Sequence, residues 1–303
     1  MAKRVVVVVN QWWECDPILD ELLRGHARPD FGLGWPQFLN HPHRRPDPNH
    51  LPAASWPIPR AIFALTNAAV EIWCVSDLLE HLPDKRPFQS STERKSEQLP
   101  RIFVGQPSDL VVAIGTAAFP GDASQNGSVV VGARVFMHRY HPGDTNRVSK
   151  WNQGPFDQVL DSALHPSAFA SLTSIPPNEI EPCFLVPPLR PAAHPALLAG
   201  HACVALATVN VTDPAEYVQA DAETLAVFAS AGGCAGSLET THGLIRVQSE
   251  APFLFVSGIA NRVGHYQDDV FPRLHAQNQS AAHNAGVVLA RMLPRINEWL
   301  SAA

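Results

Sequence analysis

Three side chains sit where ligand chemistry needs them: Asn261, Glu239 and Thr116. Asn261 follows the run Phe253–Val256 and Ser257-Gly258, within the segment FLFVSGIANRV. A buried strand of this kind delivers an amide to a pocket mouth, and an amide both donates and accepts. A turn-forming Asn after a strand is the plainer alternative. Glu239 lies in SLETTHGLI, where Glu239–Gln248 reads as a helix. Its carboxylate suits two vicinal hydroxyls, although a Glu at a helix start is also favoured by the helix dipole alone. Gly115-Thr116-Ala117-Ala118 closes the run LVVAI. Small residues there admit a close ligand and Thr116 adds a hydroxyl, unless the strand end is simply tightly packed. A carboxylate and an amide at one crevice suit a ligand with hydroxyls at one end and a polar ring at the other, as a nucleoside has.

Other chemistries find less support. Glu239 and His242 have the ExxH spacing of di-metal bundles, but that site needs a second such helix and the sequence has none. His41, His43 and His50 lie in a proline-rich loop without fixed ligand geometry. No GxSxG, GxxxxGK[ST] or GxGxxG occurs, so the classes built on those motifs are not indicated. Neither a metal nor an organic cofactor is expected. The five cysteines, Cys15, Cys74, Cys183, Cys203 and Cys234, form no CxxC pair. They read as reduced, mostly buried thiols of a cytoplasmic protein.

The elements that must position these residues are strands with interspersed helices. Val5–Val9 is a β-branched run of the kind buried on both faces of a sheet. Asn10–Glu14 follows it, and Pro17 is placed to open a helix through Leu23. Ala61–Leu65, Val70–Val75, Asp109–Ile114, Cys203–Val209 and Phe253–Ile259 read as further strands, and Ser128–Met137 as a strand pair broken at Gly132. Ser91–Phe103, Asp221–Ser230 and Asn278–Leu300 read as helices, the last kinked or restarted at Pro294. Trp151–His194 shows few clear elements. Arg28–Arg60 holds eight prolines and cannot be one regular element. Trp35, Phe38 and Trp56 favour a packed loop there.

This order predicts an α/β fold, a single-domain three-layer sandwich over residues 1–303 with a central mixed sheet and a Pro/His-rich insertion at about 28–60. Ligands of such sheets bind beyond the carboxyl ends of strands. The net charge of −6 argues against a nucleic-acid binder. No apolar run reaches the roughly 18–20 residues of a membrane span.

Taken together and in order, these segments resemble the purine nucleoside phosphorylase and methylthioadenosine/adenosylhomocysteine nucleosidase superfamily. The likeness rests on Pro107-Ser108-Asp109-Leu110 leading to Ile114–Ala118, on Ser237-Leu238-Glu239, on Ala260-Asn261, and on Asn278-Gln279-Ser280-Ala281 at the last helix. The resemblance implies cleavage of an N-glycosidic bond of a purine nucleoside by a homo-oligomer. Glu239 would bind the ribose hydroxyls, Leu238 would pack near the sugar, and Gly115, Thr116 and Ser257 would line the site. Asn261 would meet the departing base, and Trp12 would cover the ribose or act as a lid. The nucleosidases place an Asp where Asn261 stands, whereas Asn is closer to phosphorylases of 6-oxopurines. Glu14 would serve as base for water in hydrolysis. Inorganic phosphate would replace water in phosphorolysis, with Arg134, Arg139 or a partner subunit as candidate anion ligands. A protein that binds the nucleoside without turnover keeps the same features.

Overall fold

The computed structural model describes residues 3–24, 59–80, 91–137, 159–207 and 236–302. Its strands are β1 (Lys3–Val9), β2 (Ala61–Ala64), β3 (Ala68–Cys74), β4 (Leu110–Phe119), β5 (Val129–Gly132), β6 (Arg134–Met137), β7 (Val159–Asp161), β8 (Leu197–Ala199), β9 (Val204–Ala207), β10 (Gly236–Glu239) and β11 (Phe253–Arg262). Its helices are α1 (Trp12–Arg24), α2 (Val75–Glu80), α3 (Ser91–Gln98), α4 (Pro166–Thr173), α5 (Pro177–Ile180), α6 (His242–Arg246), α7 (Tyr266–Asp269) and α8 (Leu274–Ala302).

The alternating valines of β1 explain the layering. Val5, Val7 and Val9 pack with Leu110, Val112, Ile114, Leu254 and Val256 against α1 and α8, while Val6 and Val8 face the opposite side with Val111, Ala113, Phe253 and Phe255. Both faces of the central strands are therefore covered, which is why they read as unbroken apolar runs. The result is the three-layer α/β arrangement expected, with a mixed central sheet. Gly258 shows how closely the last helix lies on it: a side-chain carbon there would stand 1.9 Å from the carbonyl oxygen of Ala281.

One limb of the sheet closes on itself. β4 pairs with β11, β11 with β5, and the chain passes through Ala133 into β6. β6 pairs with β9, β9 with β10, and β10 returns to β4. The circuit is a small distorted barrel, which leaves these strands little open edge.

Several boundaries differ from expectation for physical reasons. Helix α1 begins at Trp12, because the Gln11 carbonyl accepts from the amides of Glu14 and Cys15; Pro17 is inside it, not at its start. Strand β4 does not stop at Ile114 but runs on to Phe119, since β11 keeps pairing with it through Arg262. Ser128–Met137 is the expected pair of strands, and its break falls at Ala133, where the chain changes partners between β5 and β6. Glu239–Gln248 is not one helix. Gly236–Glu239 is strand, held by the parallel ladder to Val204–Ala207, and only His242–Arg246 is helical. Helix α8 passes through Pro294 without restarting. Trp151–His194 contains β7, α4 and α5. Cys203 is in a disulfide, against the expectation of thiols throughout; its partner lies outside the described residues. So do Asp221–Ser230, Arg139 and the stretch 28–58 with its histidines and tryptophans. Among the described residues no helix is long and apolar enough to cross a membrane.

Candidate functional site

A gap in the sheet defines the site. β1 runs parallel to β4 and ends with Val9 opposite Ile114. β10 runs antiparallel to β4 and touches it through Leu238, opposite Ala118. The two strands thus approach along the same edge of β4 from opposite directions, and their carboxyl ends face each other across Gly115–Ala117. Strand carboxyl ends are where α/β sheets bind ligands, and here two of them converge. Asn10, just past β1, donates from Nδ2 to Thr240 Oγ1, just past β10, at 3.3 Å.

Glu14 fills the β1 side of the gap. It is the third residue of α1, and its Oε2 accepts from the Gln11 amide at 2.8 Å, half of a capping box. Its Oε1 accepts from the Thr116 amide at 2.8 Å and the Thr116 hydroxyl at 2.7 Å. Thr116 N–H would face a neighbouring strand had β1 been longer; the carboxylate takes that place. Gly115 makes the room, since a side-chain carbon there would come within 3.1 Å of Glu14 Oε1. Burial pushes the Glu14 pKa up, opposed by the hydrogen bonds from Thr116 and Gln11 and by the charge of Lys95.

Glu239 ends β10 on the other side. Its Oε2 accepts from the backbone amides of Thr241 and His242, the latter at 2.8 Å, donors that the start of α6 leaves free. Its Oε1 is buried and has no hydrogen-bond partner. Burial raises the Glu239 pKa to about 7, against the backbone hydrogen bonds and Lys95. His242 stacks on Phe255 at 5.9 Å. Its Nδ1 is 3.5 Å from Ser257 Oγ and 3.9 Å from Glu239 Oε1. Burial lowers its pKa to about 3, so the ring is neutral at pH 7. Among the described residues no three His, Cys, Asp or Glu side chains group to hold a metal.

Lys95 is the residue that sequence reasoning missed. It reaches in from α3 and is 4% exposed. Its Nζ donates to Thr241 Oγ1 at 3.0 Å and Thr240 Oγ1 at 3.3 Å. Burial lowers its pKa to about 8, while Glu239 and Glu14 pull it back up. No ion pair joins it to either carboxylate among the described residues. Asn10, Thr116 and Thr240, bonded to these groups, are half-buried.

The other expected residues are placed around this centre. Leu238 packs with Ala118, Val263, Phe136 and Tyr266. Asn261 lies across β4 from Leu238, just after a bulge in β11, and its Nδ2 donates to the Arg262 carbonyl at 2.7 Å. Arg262 is itself clamped by Asp269. Ser257 is fully buried, accepts from Ser237 at 2.9 Å, and supports His242 from below. Trp12 lines an adjoining cavity of about 390 Å³ with Trp13, Asp16, Tyr266, His275 and Asn278. Tyr266 connects that cavity to the Leu238 cluster. Arg134 pairs with Asp161 on the β6–β7 ladder, not at the gap. The structure therefore gathers Glu14, Gly115, Thr116 and Glu239, borders them with Leu238, and sets Asn261, Ser257 and Trp12 at one remove. Thr240-Thr241 directly after Glu239 was the available sign of a polar partner such as Lys95.

No protein-family model matches the chain, and no curated protein matches it. Solved structures do. A 5′-methylthioadenosine/S-adenosylhomocysteine nucleosidase from Neisseria meningitidis, in complex with methylthio-immucillin-A, superposes with a TM-score of 0.54 at 13% identity, covering 96% of this chain and 98% of that one. The nucleosidase of the same name from Colwellia psychrerythraea 34H, with adenine, gives 0.55 at 12% identity over 97% and 96%. Futalosine hydrolase of Helicobacter pylori gives 0.55 at 11% over 97% and 98%. The chain thus shares its fold with these nucleosidases and with futalosine hydrolase, as the sequence resemblance implied.

Proposed function

We propose that this protein hydrolyses the N-glycosidic bond of a nucleoside, with a purine as the departing base. The observation that carries the reading is the sheet gap with two buried carboxylates in unlike states: Glu14 fixed by three hydrogen bonds, Glu239 with one oxygen unpartnered. A buried acceptor without a partner is costly, and the vicinal hydroxyls of a ribose are donors that would satisfy it. The nucleosidase neighbours give the fold such a site would use.

In this reading Glu239 holds the sugar while water attacks its anomeric carbon. Glu14 takes the water proton. Burial raises its pKa, which strengthens it as a proton acceptor. The carbon–nitrogen bond breaks with its electron pair passing to the base. Asn261 meets that developing charge with the amide hydrogen not used on Arg262. Water is favoured over phosphate as nucleophile by charge. The gap presents two carboxylates, and Lys95 is the cation that the described residues place against them. An added phosphate would face net repulsion.

The test is free-base release from inosine, guanosine, adenosine and methylthioadenosine, each with and without phosphate. Release without phosphate is the expected result; release dependent on phosphate overturns hydrolysis. One observation favours a second reading, nucleoside binding without turnover: Asn261 carries no acidic proton to give the base. No base release, together with a raised melting temperature on nucleoside addition, would establish that reading instead.

A further inference from the structure

The reading above assigns the sugar to Glu239 alone, yet Glu239 is one corner of a set. Oε1 of Glu239 is buried and unpartnered, and so is Oδ1 of Asn10. Both belong to groups tied to Thr240, Asn10 through its own Nδ2 and Glu239 through the chain. Facing them is the Lys95 ammonium, with two protons given to Thr240 and Thr241. An ammonium has three, so one remains unassigned. The cation and the Glu239 carboxylate act on each other electrostatically without closing into an ion pair.

Two orphaned acceptors and one spare donor specify their ligand. A carboxylate or phosphate would satisfy Lys95 and be repelled by Glu239. An ammonium would satisfy Glu239 and be repelled by Lys95. A hydroxyl does both, because it donates and accepts at once, and two adjacent hydroxyls use both acceptors. We infer that Lys95 is a specificity-determining residue, donating to the ribose 2′-hydroxyl, whose own proton goes to Glu239 Oε1, while Asn10 Oδ1 takes the proton of the neighbouring 3′-hydroxyl. This rests on the N-glycoside reading for its biological substrate, but the sugar set stands on its own geometry. Sites that hydrogen-bond a substrate hydroxyl reject the analogue lacking it, because the site's polar groups are left unpaired.

The test compares D-ribose with 2-deoxy-D-ribose, binding measured by calorimetry or protein-observed NMR, in the intact protein and in Lys95→Met. The intact protein is expected to prefer ribose by at least about tenfold, and Lys95→Met to bring the two sugars within about twofold. A Lys95→Met protein that keeps the preference, or an intact protein that has none, overturns the inference. Where Lys95→Met fails to fold, Lys95→Gln, which keeps an N–H donor, is measured instead. An intermediate ratio supports the inference and an unchanged ratio overturns it. Free sugars carry no leaving base, so a ribose preference without any base release would sink the hydrolase reading and leave the sugar set standing. With an active substrate, Lys95→Met should raise KM for the ribonucleoside and leave KM for its 2′-deoxy form unchanged, a split that a merely structural role would not produce.

Discussion

Among the described residues, two clusters set a buried cation beside two carboxylates, and they differ in one respect. Arg60 is 1% exposed and closes on both partners, Asp16 at 3.0 Å and Asp77 at 3.1 Å. Lys95 is as deeply placed but stands off from Glu14 and Glu239, and its pKa falls where that of Arg60 rises. Arg60 ties α1, α2 and the start of β2 together; its charges are spent on one another. Around Lys95 the charges are left partly unspent, and that residue of unmet hydrogen bonding is what a ligand can use. The two clusters are told apart by closure, not by burial.

The largest effect expected from breaking this contrast is on turnover. Glu239→Gln should lower kcat/KM on a cleaved nucleoside by about 10²–10³. The melting temperature should hold or rise, because a buried charge is removed. Arg60→Met should do the reverse of that stability result. Two carboxylates would lose their cation, at about 3–5 kcal/mol, visible as a melting temperature lowered by about 10 °C. Equal losses of stability in both variants would abolish the distinction.

The pH profile sharpens it. Under the proposed function, activity needs Glu239 ionised and Lys95 protonated. With the first raised to about 7 and the second lowered to about 8, kcat/KM should peak in a narrow bell between those values. Lys95→Met should remove the alkaline limb and move the acid limb upward, since Glu239 loses its cation. The stability signs follow separately. The raised Glu239 contributes fully below the usual carboxylate range, and that contribution is lost as pH rises through about 7. The lowered Lys95 contributes above the usual ammonium range, and that is lost as pH falls through about 8.

The smallest expected change is at Asn261. Asn261→Asp should shift the adenosine-to-inosine ratio of kcat/KM upward by about tenfold, equivalent to about 1.4 kcal/mol. An unaltered ratio would mean that Asn261 does not read the base.

Much of this was visible in the residues. The valines of β1, the LVVAI run and FLFVSG announce strands buried on both faces, because apolar continuity is a local signal. Glu14, Thr116 and Glu239 are identifiable since a strand end followed by a polar residue is local too. The sequence around Glu239 nevertheless reads as helix. Gly236–Glu239 becomes strand only through its ladder to Val204–Ala207, some thirty residues away in sequence, and such pairing overrides propensity. Lys95 was illegible for a different reason. It lies in STERKSEQ, a charged run that ordinarily marks a solvated helix face. Nothing local says that this helix turns one lysine toward the ends of β1 and β10.

The position of β4 has a consequence for how the protein is made. β4 is the strand around which the sheet is organised, yet Val111 waits for Phe253 as its partner. At about 5–20 residues per second, roughly 140 residues of synthesis separate the two, on the order of ten seconds during which an apolar strand edge stays open on the ribosome. Pairing that distant is slow to nucleate and prone to capture by other chains. The yield of this protein should therefore depend on translation speed and on chaperones that shield nascent strands, even where its finished fold is stable.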